Sequence, residues 1–365
     1  MFIVALIAGW IKTKKTIPLR KLSNTKISVI IPVRNEAENL PKLLNDLNEQ
    51  TYPFENFEVI VIDDHSEDDT LEILHSFQSR SRYALRVYAL TEEKKYNSFK
   101  KSAIHMAIEK SQGELIVTTD GDCRVNKEWL KTIEEHYVAT GASFLVGSVS
   151  FIDTPDNLFT RMQIMEHASI TGTTCGCIAW HRPTMCSGAN LAYTKAAYNE
   201  VNGFDGIGNI ASGDDEMLMH KIAESNNHKI AFIKNSSSIV LTYPAKKLKE
   251  FYQQRIRWAS KWKHYQNTDT KILALFIFFY HFTLLICAVY SLMNPRNAVI
   301  FLTLIAMKIS FEFVFLHLIM KFLHKKFYLL VFFLLAIFHP VYVVIIALRS
   351  RFEKYGWKGR TIQQI

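Results

Sequence analysis

The stretch ELIVTTDGDC, Glu114–Cys123, decides the fold class of this chain. Its first half is a short apolar run that is typical of a buried strand. Its second half places two carboxylates, Asp120 and Asp122, on either side of a glycine directly after that strand. Residues two apart in extended backbone point the same way, so the two like charges predict a cation between them. On its own, an Asp-Gly-Asp sequence is weak evidence for such a site, because Asp and Gly are also common in solvated turns.

Strand-like and helix-like segments alternate on the N-terminal side of this stretch. The predicted strands are ISVIIPV (Ile27–Val33), FEVIVIDD (Phe57–Asp64) and LRVYAL (Leu85–Leu90). The segments between them, ENLPKLLNDLNEQ, LEILHSFQS and KKSAIHMAIEKSQG, have helical periodicity. This alternation predicts an α/β domain over residues 26–242, with a doubly wound and mostly parallel sheet.

The acidic residues fall where such a sheet binds its ligands. Open α/β sheets bind ligands outside the carboxyl ends of their strands. Asp63 and Asp64 end one predicted strand, and Asp120 and Asp122 follow another. Oxygen ligands with room for water and phosphate suit Mg²⁺ or Mn²⁺.

Long apolar runs occupy the C-terminal third of the chain. Ile272–Met293, Ala298–Met320 and Phe327–Leu348 are each long enough to cross a bilayer as a helix, and the alternative is buried helices of a soluble domain. The N-terminal MFIVALIAGWI would span only about 17 Å as a helix, which predicts a short anchor or interfacial helix. The basic Lys12–Lys15 after it predicts that the following domain is cytoplasmic.

Charge and cysteine content limit the function classes. The net charge is +9. Its basic residues cluster near the apolar runs, which suits an anionic membrane surface, and no nucleic-acid motif is present. The five cysteines form no disulfide framework, which fits a reducing compartment. Cys175, Cys177, His181 and Cys186 match no standard zinc spacing, and small buried cysteines are common.

Two further segments carry candidate chemistry. In the segment 211–224, Ser212 to Asp215 fits a helix capping box, yet three successive acids also suggest a general base. The segment 246–265 predicts a basic amphipathic helix at the membrane interface. Gln254, Arg257 and Trp258 share one face of it and could bind a phosphate and a sugar ring.

Taken together, these residues resemble the membrane-bound family 2 glycosyltransferases of the processive-synthase type. The resemblance covers residues 26–262 and rests on motifs in family order. They are IPVRNEAENL, VIDDHSEDDT, TTDGDC, the SGANLAY segment, SGDDE and QRIRW. It implies a nucleotide-sugar-binding fold of the glycosyltransferase A type, a doubly wound mixed sheet followed by interfacial and transmembrane helices.

The resemblance also implies the roles of individual residues. Nucleotide-sugar binding is implied for Pro32, Arg34, Glu36, Asp63, Asp64, Lys101 and Asp120, although Phe99 stands where the family has a glycine. Asp120 and Asp122 match the metal-binding pair, and Asp215 matches the catalytic base. Contacts with the diphosphate and the acceptor are implied for Asp214, Gln254, Arg257 and Trp258.

The implied reaction is an inverting, Mg²⁺- or Mn²⁺-dependent transfer from a nucleotide-sugar, with uridine the family default. The acceptor is a lipid or a growing polysaccharide at the membrane, and nucleic acid is not a partner. The predicted location is a bacterial inner membrane, with the catalytic domain cytoplasmic. The alternatives are an inactive, glycosyltransferase-like membrane protein with a binding or regulatory role, and a nucleotidyltransferase on the same fold type.

The predicted organisation has five parts: a short anchor with a basic linker, the catalytic domain, the interfacial helix, the transmembrane region and a basic tail. Their bounds are 1–25, 26–245, 246–270, 271–348 and 349–365. Three full spans would place the basic tail outside, against the positive-inside tendency. One hypothesis is that Phe327–Leu348 is re-entrant and turns near His339-Pro340. The Lys308–Glu312 pair inside an apolar run is either functional or structural.

Overall fold

The structure is a computed structural model that describes residues 2–15, 23–91, 94–225, 228–353, 355–357 and 360–362. Residues 16–22 of the predicted linker lie outside the described part. So do residues 354, 358–359 and 363–365 of the predicted basic tail.

The described residues contain the following strands and helices in chain order. The strands are β1 Ile27–Val33, β2 Phe57–Asp63, β3 Ala84–Ala89, β4 Leu115–Thr118, β5 Phe144–Val146, β6 Val149–Phe151, β7 Leu191–Thr194, β8 Ile230–Phe232, β9 Val240–Thr242, β10 Tyr355–Trp357 and β11 Arg360–Ile362. The helices are α1 Phe2–Lys12, α2 Leu40–Asn48, α3 Thr70–Gln78, α4 Phe99–Lys110, α5 Trp129–Thr140, α6 Leu158–Ala179, α7 Lys195–Glu200, α8 Glu216–Glu224, α9 Leu248–Ser260, α10 Thr268–Ser291, α11 Pro295–Phe322 and α12 Leu329–Arg349.

The chain divides into two compact units, and the first, which we call the sheet unit, comprises Thr13–Ser150 and Met185–Tyr243. Its described strands form a sheet in the order β3-β2-β1-β4-β7-β5-β8. β1 pairs in parallel with β2 and β4, and β2 with β3, whereas β7 runs antiparallel to β4 and β5. The predicted α/β fold with a mixed sheet is confirmed.

The central strands are apolar on both faces because helices cover the sheet. Val29 and Val59 are fully buried on one face of the sheet, and Ile30 and Ile60 are fully buried on the other. Such continuous β-branched runs are typical of parallel strands covered on both sides. The strands predicted from sequence are therefore those with the strongest apolar signal.

The second unit, which we call the helical unit, comprises Met1–Lys12, Phe151–Thr184 and Pro244–Ile365. This division of the chain differs from the predicted continuous domain over 26–245, because residues 151–184 belong to the helical unit. The cause is close packing of α6 against α1. A Cβ atom added at Gly9 would lie 2.8 Å from the Gly176 carbonyl oxygen, so the two backbones nearly touch. Trp180 Nε1 also donates to the Ala5 carbonyl at 2.8 Å.

Three of the described helices are long and apolar enough to cross a membrane: Thr268–Ser291, Arg296–Phe322 and Leu329–Arg349. Only 17%, 11% and 28% of their most apolar windows are buried inside the protein. Helices of a soluble core would bury these side chains, whereas lipid-facing helices expose them. The arrangement therefore favours membrane association over the soluble alternative.

The predicted turn at His339-Pro340 is wrong. Helix α12 is continuous over Leu329–Arg349, with Pro340 inside it. Proline removes one backbone donor, and the remaining hydrogen bonds and packing can carry a helix through it.

The ends of α12 nevertheless contact neighbouring elements of the helical unit. The Tyr328 ring at its start lies 4.0 Å from the Arg161 guanidinium of α6. Beyond its end, Glu353 Oε2 accepts a hydrogen bond from Tyr252 of α9 at 2.8 Å. Lys263 Nζ, close before α10, donates to the Arg351 carbonyl at 3.0 Å. Both ends are thus anchored to segments that precede α10 in the chain.

Candidate active site

The carboxyl end of β2 carries the first acidic pair. Asp63 and Asp64 are 4% and 3% exposed, and the parallel register places Asp63 opposite Val33 at the end of β1. Asp63 Oδ2 accepts a hydrogen bond from the Ser66 amide at 3.1 Å. Its other oxygen is buried without a hydrogen-bond partner among the described residues. A buried unpaired carboxylate oxygen is costly, so it is a candidate acceptor for a ligand donor.

The loop after β1 packs against this pair. Arg34 is 7% exposed, and its Nη1 donates to the carbonyl oxygens of Asp64 and His65 at 2.9 and 2.5 Å. The guanidinium therefore shapes the loop after β2. Glu36 is 6% exposed, and its amide donates to Thr70 Oγ1 at 2.8 Å. Pro32 lies within β1 itself.

The Asp-Gly-Asp segment follows β4 directly. The Asp120 side chain is 37% exposed, and Asp122 Oδ2 lies 3.4 Å from the Thr242 hydroxyl. The glycine between them is explained by packing. A Cβ atom on Gly121 would lie 2.9 Å from Val33 Cγ1 and 3.1 Å from Glu36 Cγ. Any larger residue would push the segment away from the end of β1.

Lys100 is a site residue that the sequence analysis missed. Its ammonium lies 2.9 Å from Asp120 Oδ1 and 3.2 Å from Asp214 Oδ2. Burial disfavours its charged form, but the Asp120, Asp214 and Asp215 carboxylates outweigh that effect and raise the pKa of Lys100. A cation thus joins the Asp-Gly-Asp segment to the SGDDE segment. Lys100 is adjacent to Lys101, the residue that the resemblance indicated. The sequence alone does not show which of the two lysines faces the acids.

Lys101, the predicted binding residue, has a different environment. It is fully buried, and its Nζ donates to the carbonyl oxygens of Ile207, Ile210 and Ser212 at 2.7, 2.8 and 3.1 Å. These bonds hold the loop that leads to the SGDDE segment. The role predicted for Lys101 in donor binding stays a prediction, beside this structural contact.

The acids of the SGDDE segment lie beside Gly188, in the loop before β7. A Cβ atom on Gly188 would lie 3.1 Å from Asp214 Oδ2, 3.4 Å from Lys100 Nζ and 3.8 Å from Asp215 Cβ. Gly188 is itself tied to β4, because Thr118 Oγ1 donates to its carbonyl at 2.8 Å. The fold therefore brings together the end of β4, the start of α4 and the start of α8.

The predicted capping box at Ser212 is wrong. Helix α8 begins at Glu216, and Asp215 is its N-cap, with Oδ1 accepting from the Glu216 amide at 2.8 Å. Gly213, between Ser212 and the N-cap Asp215, has φ +80°, so the chain at Ser212 has not yet entered the helix. Asp215 Oδ2 accepts from the Gly188 amide at 3.2 Å. Two backbone donors thus orient this carboxylate.

The residues present fit a hard divalent cation. Asp120 and Asp122 supply carboxylate oxygens, the donors that Mg²⁺ and Mn²⁺ prefer. In the described part of the chain, no group of three or more His, Cys, Asp and Glu side chains forms a complete metal cage. An ion held by this pair would therefore take its other ligands from phosphate oxygens and water.

The signature segment QRIRW lies on α9 in the helical unit. Gln254, Arg257 and Trp258 are all half-buried. Among the apolar residues of α9, Ile256 is buried and Leu248 is 73% exposed, and the interfacial position of this helix stays a prediction. The residue between the predicted ones, Arg255, is 3% exposed and paired with Glu166, a contact that the sequence did not indicate.

Comparison with known families decides the class of protein. A model described as "Glycosyl transferase family group 2" matches residues 115–348, and one described as "Glycosyl transferase family 2" matches residues 28–201. The chain belongs to the family 2 glycosyltransferases. The prediction of a glycosyltransferase is confirmed, and the inactive alternative and the nucleotidyltransferase alternative gain no support.

Curated relatives match this glycosyltransferase over part of their length. "Glycosyltransferase AglE" of Haloferax volcanii is 36% identical over 151 residues, which is 39% of this chain and 48% of the relative. "Probable glycosyltransferase YdaM" of Bacillus subtilis is 25% identical over 266 residues, 69% of this chain and 57% of the relative. The chain thus spans about half the length of these relatives.

A solved structure resembles the glycosyltransferase over nearly its whole length. It is "Mannosyltransferase PcManGT from Pyrobaculum calidifontis in complex with GDP-Man and Mn2+", with a TM-score of 0.56 and 16% identity. The likeness covers 96% of this chain and 95% of the other. At that identity it concerns the fold, and the predicted fold class is confirmed.

Proposed function

We propose that this glycosyltransferase transfers a sugar from a nucleotide-sugar, by default a UDP-sugar, to a lipid or growing polysaccharide acceptor, with inversion and with a divalent metal. The observation that carries the proposal is the convergence of Asp120, Lys100, Asp214 and Asp215 at the end of β4. A net negative cluster at the carboxyl end of a parallel strand suits a divalent cation, through which a phosphate ester can bind there.

In this proposal Asp215 is the general base. Its two oxygens each accept one backbone hydrogen bond, which fixes the direction of the remaining lone pairs. Asp215 accepts the proton of the acceptor hydroxyl as that oxygen attacks the anomeric carbon. The bond from that carbon to the diphosphate oxygen breaks, and the bonding pair leaves with the nucleoside diphosphate. One displacement of this kind inverts the anomeric configuration.

The leaving group needs positive charge where its negative charge develops. Asp120 and Asp122 would hold Mg²⁺ or Mn²⁺, which supplies Lewis-acid stabilisation of the diphosphate. The Lys100 ammonium, held 2.9 Å from Asp120 Oδ1, provides a second positive charge beside that site. The Mn²⁺ and GDP-Man named for the mannosyltransferase of the same fold are consistent with this proposal.

The donor and acceptor contacts follow the same proposal. Asp63 has a buried oxygen available to a nucleotide donor group. The proposed nucleotide-sugar site also includes Asp64, Pro32, Arg34, Glu36 and Lys101. Arg34 contributes by shaping the loop after β2. The roles of Gln254, Arg257 and Trp258 at the diphosphate and acceptor rest on their motif.

We also propose that the sheet unit lies on the cytoplasmic face. Lys12–Lys15 supports this orientation. Because both ends of α12 contact segments that precede α10, the proposal places both ends on the face of those segments, so that α10 and α11 cross the membrane and α12 does not. The basic tail would then follow the positive-inside tendency without a turn inside α12.

Transfer of a labelled sugar tests the proposed function. The full chain in detergent is supplied with host lipid extract, Mn²⁺ and radiolabelled UDP-glucose, UDP-N-acetylglucosamine or GDP-mannose. We expect label from one donor to enter either the organic phase or a high-mass polymer, and chelation to prevent it. Label that enters neither fraction from any donor would contradict the proposal. The partition itself distinguishes a lipid acceptor from a polysaccharide.

A further inference from the structure

A buried ion pair lies under the signature segment of α9. Arg255 is 3% exposed, and its Nε and Nη2 donate to Glu166 Oε1 and Oε2 at 3.1 and 2.6 Å. The Glu166 side chain on α6 is 9% exposed. Tyr342 on α12 donates a third hydrogen bond to Glu166 Oε1 at 3.1 Å. One carboxylate therefore ties together three helices of the helical unit.

The guanidinium of Arg255 in turn contacts two residues of the signature. Its Nη1 donates to Gln254 Oε1. Its Cζ atom lies 4.3 Å from the centroid of the Trp258 ring and 4.3 Å from that of the Phe251 ring. Arginine can make bidentate and stacking contacts at once because its guanidinium is planar. The Gln254 amide and the Trp258 indole are thus both held from the buried side of α9.

A contribution to the stability of the fold does not by itself explain the Glu166–Arg255 ion pair. A buried ion pair costs desolvation that its attraction only partly offsets, and well-packed apolar residues would often stabilise a protein as well. Burial opposes the ionisation of Glu166, yet Arg255 holds the pKa of that carboxyl below its usual range, so the pair stays charged at neutral pH. Geometric precision at Gln254 and Trp258 is what the pair supplies and apolar packing would not.

We propose that Glu166 is a positioning residue, which acts through Arg255 to fix Gln254 and Trp258 for sugar transfer. The inference rests on the proposed function, because it assumes that these two side chains contact the diphosphate or the acceptor. Glu166 itself touches neither in this proposal. Tyr342 supports the same carboxylate, so the last apolar helix also contributes to the geometry.

Kinetics of Glu166→Gln test the proposal, because this change keeps the volume and removes the charge. A misplacement of about 1 Å costs up to about 10²-fold in rate. We therefore expect kcat for sugar transfer to fall by about that factor, with the KM for the nucleotide-sugar changed by less than about threefold. Tyr342→Phe, which deletes one hydroxyl, should shift kcat in the same direction by a smaller factor.

Asp156→Asn is the matched control. Asp156 also forms a bidentate pair with an arginine of α6, Arg161, at 2.6 and 2.8 Å, but this pair is exposed. We expect this variant to keep the kcat of the unmodified protein. An equal loss in both variants would show that any ion pair on α6 affects the rate, and it would overturn the specific role of Glu166.

A double-mutant cycle with Trp258→Ala separates positioning from stability. If Glu166 acts through Trp258, Glu166→Gln should reduce activity by much less in the Trp258→Ala background than in the unmodified protein. The same loss in both backgrounds would overturn the proposal. Full activity of Glu166→Gln in the unmodified background would also overturn it and leave the proposed function intact.

Hydrogen exchange of the α9 amides, 248–260, provides a readout that does not depend on activity. Exchange there should be faster in Glu166→Gln and unchanged in Asp156→Asn. If the unmodified protein transfers sugar from none of UDP-glucose, UDP-N-acetylglucosamine and GDP-mannose, the proposed function fails and the catalytic role of Glu166 fails with it. If the unmodified protein transfers sugar but Glu166→Gln does not change the exchange of the α9 amides, only the positioning role fails.

Discussion

Replacing Asp215 by asparagine separates the chemical role of this side chain from its structural role. In the structure Asp215 caps α8 through Oδ1 and accepts from the Gly188 amide through Oδ2. Asparagine is as good an N-cap as aspartate, so the bond to the Glu216 amide can be kept. Its NH₂ group would face the Gly188 amide, however, and one donor would lose its acceptor.

The expected cost to the fold follows from these contacts. Loss of the negative charge at a helix N-terminus costs about 0.3–1 kcal/mol. One unsatisfied, partly buried amide adds about 1 kcal/mol. We therefore expect the free energy of unfolding to fall by about 1–2 kcal/mol. The protein should remain folded and able to bind its donor.

The expected cost to the reaction is much larger. The amide cannot accept the acceptor's proton, and general-base catalysis contributes about 10²–10⁴-fold. That factor corresponds to about 3–5 kcal/mol of activation free energy. The assay compares sugar transfer and equilibrium donor binding of the two proteins under identical conditions. Asp69→Asn is the control, because Asp69 is also a helix N-cap but is exposed and makes no side-chain capping bond.

Two results would refute the assignment of Asp215 as base. One is Asp215→Asn activity within about tenfold of the unmodified protein, since a general base contributes at least about 10²-fold. The other is loss of donor binding with transfer reduced only in proportion, which would make Asp215 a binding residue.

The remaining predictions concern adjacent lysines, a buried histidine and membrane topology. Lys101→Met should lower the free energy of unfolding by about 3 kcal/mol because three buried carbonyls lose their donor, and Lys100→Met should abolish transfer; unchanged stability of Lys101→Met in chemical denaturation, or transfer retained by Lys100→Met, would contradict this. Burial lowers the pKa of His136 from 6.5 to about 4, so its neutral form stabilises the fold above pH 6.5 and that contribution is lost as the pH falls toward 4. The loss should reach about 3 kcal/mol, and His136→Gln should flatten the stability profile in that window; an unchanged slope would disprove the link. A cysteine at Phe352, which is 83% exposed, should react with an impermeant maleimide only from the cytoplasmic face, and one at Leu292, which is 88% exposed, only from the other face; labelling of both from one face would reject the topology.

The sequence predicted the parts of the fold whose signal is local. Strands β1–β4 were predicted because their apolar runs are bounded by turn residues, and the acidic pairs follow them directly. The start of α8 was misplaced because Ser212 is a good capping residue, and only the backbone at Gly213, with φ +80°, shows that the helix begins later. The turn at His339-Pro340 was predicted because proline interrupts local helical hydrogen bonding, whereas α12 continues through Pro340.

The parts of the site that the sequence did not predict depend on long-range contacts. Lys100 and Lys101 are neighbours on α4, and only the orientation of that helix turns one toward Asp120 and the other toward the Ile207 carbonyl. Glu166 and Arg255 are 89 residues apart, in segments that carry no shared motif. Neither pairing has a periodicity from which it could be read.

Release of nucleoside diphosphate tests the central claim most directly. The full chain in detergent, with host lipid extract, is given UDP-glucose, UDP-N-acetylglucosamine or GDP-mannose after chelation and again after addition of Mn²⁺ or Mg²⁺. The account predicts release from one donor only when the metal is present, and none from Asp120→Asn or Asp122→Asn protein. Release that persists under chelation, or no release from any donor with metal, would contradict it.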